Sequence, residues 1–407
     1  PSKRTPAAPF TTSTLQQDAN RKFGFSVKRT MTSAQKLYEA GYITYMRTDS
    51  VNLSEEALNA IKQYVLETYG EDYYQYMQYK SKSKNTQEAH EAIRPTDIAT
   101  TSIDDDAKIG MDEVKLYSLI WKRSVASQMK AAEYNVTTIQ IGISKDNEHF
   151  FQTTIENLTF EGFLIVYNVS ANDSDDEEDN KDEENKSNKN VPIPKVGGIV
   201  PIVSIVGKQD YHKPPGRYNE ASLVDKLDPK NLNIGRPATY SSIIDKIKVR
   251  KYVEIKDIPG KDVDCLTLSW NKGDEEITED KSKITICKEK NKFVPTHLGI
   301  LVNSFLMAHF PKIMDYKFTS DMEDKLDDIA NGTLVWSDVL QEFYDEFHPL
   351  VTKQMKMAPE IESKDSRLLG KDPKSGFQIY ATIGLYGPMV KMMCDKKTKY
   401  APIKQPL

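Results

Sequence analysis

Apolar residues recur at helical spacing through the first third of the chain. Leu58, Ile61 and Val65 fall on one face of a predicted helix, which Ser54 caps and Gly70 ends. The same kind of spacing predicts two further helices, one on each side of this one. The three predicted helices cover residues 33–40, 55–69 and 112–129.

Between residues 134 and 206 the pattern changes to alternation. Residues 136–141 and 150–155 alternate between apolar and polar side chains, as half-buried strands do, and 200–206 is similar. Past residue 215 helical patterns return, and the tail from residue 369 is again typical of strands. The chain is therefore predicted to pass from a helical part through a β-rich part and back.

Composition narrows the class of protein. A chain of 407 residues is too long for one ordinary core, so two to four domains are expected. No apolar run reaches the roughly 18 residues that a membrane span needs. The three cysteines lie far apart without a Cys-x-x-Cys pair, which predicts a reducing compartment, no disulfide framework and no zinc ribbon.

The charge is concentrated in one segment. Residues 171–190 hold nine acids and three lysines and so carry a charge of −6. The net charge of the whole chain is −5, so the remaining residues together carry +1. The segment has no apolar residue beyond Ala171, which predicts a disordered acidic loop within the β-rich part. A nearly neutral remainder can still present local basic surfaces to a polyanion.

A tyrosine and an arginine mark the candidate chemistry. Residues 42–46 read as a short strand after a helix that Gly41 ends, and Tyr45 and Arg47, two residues apart, would then face the same side. A tyrosine pKa of about 10 leaves roughly one phenol in a thousand ionised at neutral pH. A guanidinium stabilises the phenolate and binds a phosphate oxygen, so the pair suits attack on a phosphodiester. An exposed aromatic beside a solvated charge is the ordinary alternative.

The longer string is more specific. Tyr-Met-Arg-Thr-Asp-Ser over 45–50 resembles the active-site motif of type IA DNA topoisomerases, with Met46 as in the bacterial topoisomerase I branch. The resemblance implies that Tyr45 cuts one DNA strand and holds its 5′ end as a phosphotyrosine, with Arg47 as the phosphate-binding partner. Phe-Thr-Thr-Ser-Thr-Leu-Gln-Gln over 10–17 resembles the stretch that introduces the tyrosine domain, with Ser13 or Thr14 as a plausible helix cap.

A histidine motif extends the resemblance. Glu-Ala-His-Glu-Ala-Ile-Arg-Pro over 88–95 matches the family closely. Carboxylates near His90 would raise its pKa and Arg94 would lower it, so its charge could be tuned near neutrality. The resemblance places His90 at the cleavage site, where it binds the scissile phosphate or helps to move the phenol proton. Arg94 is a candidate contact to the DNA backbone.

A third motif implies a DNA grip. Ile-Gly-Arg-Pro-Ala-Thr-Tyr over 234–240 resembles a family segment that holds single-stranded DNA beside the cut, although the family usually has Ser where Ala238 stands. Pro237 suits the first position of a helix, and the free N–H groups there favour an anion. The predicted DNA-binding residues in this region are Arg236, Thr239, Tyr240, Ser241 and Arg250.

The resemblance covers most of residues 10–350 and implies an α+β, multidomain fold, in which mainly helical domains are joined by a β-rich arch as in the family's toroid. The predicted boundaries are a linker at 1–9, a catalytic-tyrosine domain at 10–131, an arch at 132–212 with the acidic loop at 171–190, a helical DNA-grip scaffold at 213–360 and the start of a β-rich C-terminal repeat region at 361–407.

The family's metal-binding half has no counterpart in these residues. The resemblance implies Mg²⁺ held by a TOPRIM domain, and Asp262-Val263-Asp264 has its letters without the preceding apolar strand. We therefore expect a fragment with no metal ligand of its own, which alone does not relax plasmids. No Gly-x-x-x-x-Gly-Lys-Ser/Thr loop is present, so ATP is not expected. The family further implies an intracellular monomer in cytoplasm, nucleoid or nucleus.

The sequence leaves two other functions open. The same scaffold could bind single-stranded nucleic acid without cutting it, or it could act on RNA. The main prediction is a type IA DNA topoisomerase that breaks and rejoins one strand and relaxes negative supercoils without ATP.

Overall fold

The computed structural model describes residues 1–79, 91–104, 109–143, 146–167, 193–364, 366–384, 387–394 and 398–403. His90 and the predicted acidic loop at 171–190 lie outside the described residues. The chain divides into two compact units, unit 1 with Pro1–Lys226 and Asp257–Lys292, and unit 2 with Leu227–Lys256 and Phe293–Leu407. Helices and antiparallel sheets occur together, which confirms the α+β, multidomain class.

Four helices build the core of unit 1. They are α1 (Thr12–Phe23), α2 (Val27–Glu39), α3 (Glu55–Thr68) and α4 (Met111–Ala126). Leu15, Leu37, Ile61 and Ile120, one from each helix, are fully buried in one apolar cluster. The three helices predicted from apolar spacing are confirmed, although α2 begins six residues earlier and α4 ends three residues earlier than expected.

The capping prediction for the first helix is wrong. The N-cap is Thr11, whose hydroxyl accepts a hydrogen bond from the N–H of Thr14, while Ser13 and Thr14 lie inside α1. Ser54 caps α3 as predicted, with Glu55 and Glu56 in the first turn. Gly41 has φ +80°, the left-handed conformation expected of a glycine just past a helix end.

A three-stranded antiparallel sheet continues from α4. Its strands are β1 (Ser2–Arg4), β2 (Ala132–Ile143) and β3 (Asp146–Phe160), in the order β1-β2-β3. The alternating segments 136–141 and 150–155 are confirmed as parts of β2 and β3. The prediction of a linker at 1–9 is wrong, because Ser2 pairs with Tyr134 and Arg4 with Ala132.

A second sheet corrects the predicted organisation of the arch. β4 (Ser204–Lys208) pairs with β6 (Lys261–Asn271), which pairs with β7 (Thr278–Ile286), so the third alternating segment does not join β2 and β3. β5 (Val253–Ile258) pairs with β8 (Glu289–Pro295). The prediction that 213–360 is helical is therefore wrong between Val253 and Pro295.

Unit 2 contains helices and a C-terminal sheet. The helices of this region are α5 (Glu220–Leu227), which crosses the unit boundary, α6 (Tyr240–Val249), α7 (His297–His309), α8 (Pro311–Met314), α9 (Lys317–Ala330) and α10 (Trp336–Lys364). The sheet has the order β12-β11-β10-β9. Its strands are β9 (Arg367–Lys371), β10 (Gln378–Gly384), β11 (Gly387–Met393) and β12 (Thr398–Pro402).

The β-rich tail predicted from residue 369 is confirmed, although its first strand begins at Arg367. No helix within the described ranges is long and apolar enough to cross a membrane.

Candidate active site

Three separate sequence motifs meet in unit 1. The N–H of Ile93 donates to the carbonyl of Phe10 over 2.8 Å, and the N–H of Thr44 donates to the carbonyl of Arg94 over 2.9 Å. The N–H of Thr12 donates to the carbonyl of Thr48 over 2.9 Å, which closes the arrangement. The motif at 10–17, the tyrosine segment at 42–50 and the residues just after His90 are therefore joined by hydrogen bonds into one site.

Tyr45 lies on a loop and not on the predicted strand. Within residues 42–46 only Ile43 forms a β-bridge, with Pro95, and backbone hydrogen bonds from Thr44 to Arg94 and from Thr96 to Tyr42 flank it. The pairing goes no further, because the hydroxyl of Thr44 accepts from the N–H of Arg94 over 3.0 Å and donates to the carbonyl of Ala92 over 2.7 Å. The prediction of a strand is wrong because a side chain here takes the place of a facing backbone group, which the local apolar pattern does not show.

The residue after the tyrosine is fixed by α1. The hydroxyl of Thr12 donates to the carbonyl of Met46 over 2.8 Å and accepts from the N–H of Thr48 over 2.8 Å. Met46 is 2% exposed, whereas Tyr45 is 46% exposed. The backbone is thus held on both sides of Tyr45 while its phenol remains accessible.

Arg47 is the exposed cation of this loop. It is flanked by the buried residues Met46 and Thr48, so it shares the exposed side of the loop with Tyr45. Arg47 forms no hydrogen bond or ion pair with any residue that the structure describes. No described residue therefore competes with a phosphate for its guanidinium.

Arg94 occupies a different environment. Its guanidinium donates to both carboxylate oxygens of Glu91, over 2.7 and 3.0 Å, and to the carbonyl of Pro95 over 2.8 Å. Burial alone would raise the pKa of Glu91, but hydrogen bonds from Arg94 and Ser54 hold the pKa of this carboxyl below its usual value. Arg94 thus holds the loop together, and its predicted contact with the DNA backbone stays a prediction.

The remaining predicted arginines belong to unit 2. Arg236 lies just before a 3₁₀ turn at Pro237–Thr239 that leads into α6, with Pro237 at the predicted first position. Its guanidinium pairs with Glu323, and it also pairs with Asp327 over 3.2 Å. Both acids lie on α9.

The other predicted DNA-binding residues differ in accessibility. Thr239 is exposed, and its hydroxyl donates to the carbonyl of Arg236 over 2.7 Å. Ser241 is half-buried in the first turn of α6. Arg250 caps the end of α6, is exposed, and forms no ion pair with a described residue.

The structure corrects the role that was predicted for Tyr240. Its ring is fully buried, and its hydroxyl donates to the carbonyl of Leu227 over 3.1 Å. Burial, followed by the negative charges of Asp228 and Glu323, raises the pKa of this phenol far above its usual value. A direct contact between Tyr240 and DNA is therefore excluded in this arrangement, and the residue supports the turn that carries Arg236.

Metal ligands were not expected within these residues. Among the described residues, no group of three or more His, Cys, Asp or Glu side chains is arranged to hold a metal ion. Asp262 accepts a hydrogen bond from the hydroxyl of Thr285 within the second sheet. The Asp262-Val263-Asp264 string is thus part of β6, and the described donor set does not fit Mg²⁺.

Sequence reasoning missed the residues that fix the loop. Thr12 lies in the motif at 10–17 and Thr44 in the predicted strand at 42–46, but neither was given a role, and Glu91 was treated only as a neighbour of His90. The two threonines themselves were the available signal, because a hydroxyl can both donate to and accept from backbone groups and so can join two segments of chain. His90 itself lies outside the described residues, so its predicted role stays a prediction.

Comparison with known proteins places the chain in a family. The family described as DNA topoisomerase matches residues 1–263 and 281–341. The chain is 48% identical over 414 residues to the prokaryotic-type DNA topoisomerase 1 of Acanthamoeba polyphaga mimivirus, covering 99% of this chain and 47% of that protein. It is 38% identical over 421 residues to DNA topoisomerase 1 of Xylella fastidiosa strain Temecula1, covering 99% and 46%.

Solved structures agree with the sequence relatives. Full-length topoisomerase I from Thermotoga maritima is similar with a TM-score of 0.63 at 28% identity, covering 99% of this chain and 58% of that one. The fold and the family match define a type IA DNA topoisomerase, and the chain belongs to that family. The chain spans about half the length of these relatives, 47% of the first and 46% of the second.

Proposed function

We propose that this chain carries the strand-cleaving tyrosine of a type IA DNA topoisomerase and that the tyrosine is Tyr45. The observation that carries the proposal is an exposed phenol on a loop whose backbone is held on both sides by Thr44 and Met46. Arg47, exposed and without an ion-pair partner among the described residues, would neutralise a phosphate oxygen beside it.

The proposed reaction is a transesterification. The phenol oxygen of Tyr45 attacks the phosphorus, the bond from phosphorus to the 3′ oxygen breaks, and the 5′ phosphate stays on the tyrosine. The phenol loses one proton and the departing 3′ oxygen gains one, for which His90 is the proposed carrier. Rejoining is the reverse reaction. Because the phosphotyrosine ester keeps the energy of the broken bond, no ATP is consumed.

Substrate and cofactor follow from the family. We propose that the substrate is a single-stranded segment of negatively supercoiled DNA, held by Thr239, Ser241 and Arg250 of unit 2 and by Arg236, whose pairs with Glu323 and Asp327 a phosphate would replace. Mg²⁺ would be held by acids outside these residues, as in a TOPRIM domain, and would help to align the 3′ end for rejoining. A monomer acting inside the cell, in the cytoplasm, nucleoid or nucleus, is the proposed setting.

Trapping of the covalent adduct tests the central assignment. Radiolabelled single-stranded DNA is incubated with the protein and Mg²⁺ and then denatured, and the labelled protein is measured. Tyr45→Phe should abolish the adduct and leave DNA affinity and the unfolding midpoint unchanged, because only one oxygen is removed from an exposed ring. Tyr76→Phe, at a tyrosine that is 54% exposed, is the matched control and should keep the adduct.

Three other outcomes are informative. An adduct that persists in Tyr45→Phe places the nucleophile elsewhere. DNA binding without any adduct in the unaltered protein favours the binding module. An adduct formed faster on RNA than on DNA of the same sequence favours the RNA-directed alternative.

A further inference from the structure

A second tyrosine contacts the proposed nucleophile. Tyr38 lies in the last turn of α2, and its ring meets the ring of Tyr45 edge to face, with centroids 5.3 Å apart and planes at 68°. This is the geometry that aromatic quadrupoles favour. Both rings remain partly exposed, at 42% and 46%, so the contact forms on the open side of the loop.

The backbone that carries Tyr38 is anchored to the core of unit 1. Its neighbour Leu37 is fully buried, and so is Ala34 one turn earlier, which fixes this end of α2 against the core. The N–H of Gly41 donates to the carbonyl of Tyr38 over 2.9 Å, and the N–H of Tyr42 donates to the carbonyl of Leu37 over 2.9 Å. The chain thus reverses tightly at Gly41 and brings residue 45 back beside residue 38.

The contacts that hold the backbone around Tyr45 do not fix its side chain. Hydrogen bonds from Thr44 and to the carbonyl of Met46 hold its backbone, but they do not restrain rotation about the two side-chain torsions. Among the described residues, Tyr38 supplies the ring contact that limits this rotation. A phenol that must meet a phosphorus atom in line gains rate when its oxygen is already in place.

We infer that Tyr38 is a positioning residue, whose ring holds the phenol of Tyr45 in its attacking orientation. The inference rests on the proposed function for its effect on rate, but the contact itself does not. It is the ring of Tyr38 that acts, because its hydroxyl forms no hydrogen bond with a described residue. Phenylalanine should therefore replace Tyr38 and alanine should not.

Two measurements on the 407-residue protein test the inference. In the first, ring carbons of tyrosine are ¹³C-labelled, the signal of Tyr45 is assigned by its loss in Tyr45→Phe, and ring order is measured by NMR relaxation. Tyr38→Ala should lower the order of the Tyr45 ring, whereas Tyr38→Phe and the control Tyr76→Ala should leave it as it is. This readout needs no catalysis.

The second measurement is the single-turnover rate of adduct formation at saturating single-stranded DNA. Tyr38→Ala should slow it by about threefold to tenfold, the value of one aromatic pair, with DNA affinity unchanged. Tyr38→Phe should stay within twofold of the original rate. If Tyr38→Ala leaves the ring order of Tyr45 unchanged, the inference is wrong. If ring order falls but the unaltered protein forms no adduct, the positioning contact stands and the proposed function fails.

Discussion

At the scale of single residues, the two arginines around the tyrosine loop have opposite surroundings. Arg47 is exposed without a partner among the described residues, whereas the side chain of Arg94 is 13% exposed and bound to Glu91. A guanidinium already bound to a carboxylate and a carbonyl has fewer donors left for a phosphate. The residue types are identical, and only their partners separate a candidate phosphate ligand from a structural ion pair.

This difference predicts different losses of stability. Arg94→Leu should lower the free energy of unfolding by about 1–3 kcal/mol at pH 7, because Glu91 keeps a partly buried charge with one strong partner removed. Arg47→Leu should change it by less than about 0.5 kcal/mol, as at other exposed positions. Urea unfolding of both variants measures the effect, and equal losses would contradict the assigned roles.

The effect of Arg94→Leu should depend on pH. The pKa of Glu91 is lowered in the folded state, so its stabilisation is present above the unfolded value of about 4.3 and is lost as pH falls through the folded value. The gap between the original protein and Arg94→Leu should therefore be largest near neutral pH and shrink below about pH 4. A gap that is constant from pH 7 to pH 3 would show that Glu91 is not the partner that matters.

At the scale of elements, the start of α7 sits against the end of α6 and the beginning of β5. The hydroxyl of Thr296 donates to the carbonyl of Lys251 over 2.6 Å and caps α7 by accepting from the N–H of Gly299 over 3.0 Å. A Cβ on Gly299 would lie 2.0 Å from the carbonyl oxygen of Tyr252. Backbone meets backbone at this point, so glycine is required by space.

Gly299→Ala should therefore destabilise unit 2. The helix start must move away from Tyr252, and we expect a loss of about 1–3 kcal/mol or more, as for other overpacked sites. Gly142→Ala in β2 is the control, since a Cβ there meets nothing within 4 Å. Urea unfolding is followed by tryptophan fluorescence in a background where Trp121 and Trp270 are replaced by Phe, so that Trp336 reports on unit 2. A Gly299→Ala midpoint equal to that of the control would show that α7 is not packed this closely.

At the scale of the whole molecule, one segment dominates the charge. Residues 171–190 carry −6 and the rest of the chain +1, so long-range repulsion of DNA comes mainly from this segment. The segment lies outside the described residues, and its charge is the property that would act on DNA at a distance.

Replacing the nine acids of this segment by Asn and Gln should raise affinity for single-stranded DNA at low salt. A gain of roughly twofold to fivefold near 10 mM salt should vanish near 1 M, because the screening length falls from about 30 Å to about 3 Å. The unfolding midpoint should not change, and deletion of residues 171–190 should likewise leave it unchanged. Fluorescence anisotropy over a salt series measures the affinity, and a gain that persists at high salt would point to a direct contact.

The predicted site residues are distributed over both units. Tyr45, Arg47 and Arg94 belong to unit 1, and Arg236, Thr239, Tyr240, Ser241 and Arg250 belong to unit 2. Each unit therefore contributes to this set an exposed arginine, Arg47 or Arg250, that forms no ion pair with a described residue.

The sequence by itself determined what depends on near neighbours. The helices α2, α3 and α4, the ribbon of β2 and β3, the cap at Ser54 and the left-handed Gly41 follow from spacing and residue type within a few positions. The motif around Tyr45 also indicated the family, which the comparisons confirmed. Local hydrogen bonding and periodicity are written in consecutive residues, so they can be read without a fold.

Only the tertiary structure decided what depends on distant partners. Ser2–Arg4 became a strand because β2, far along the chain, offered an edge. β4 paired with β6, which lies in a stretch that was predicted to be helical. Thr12 gained its role from Met46 and Thr48, and Tyr240 lost its expected one by burial beside Leu227. Hydrogen-bond partners and burial are set by which segments meet in space, and residue type and local spacing do not carry that information.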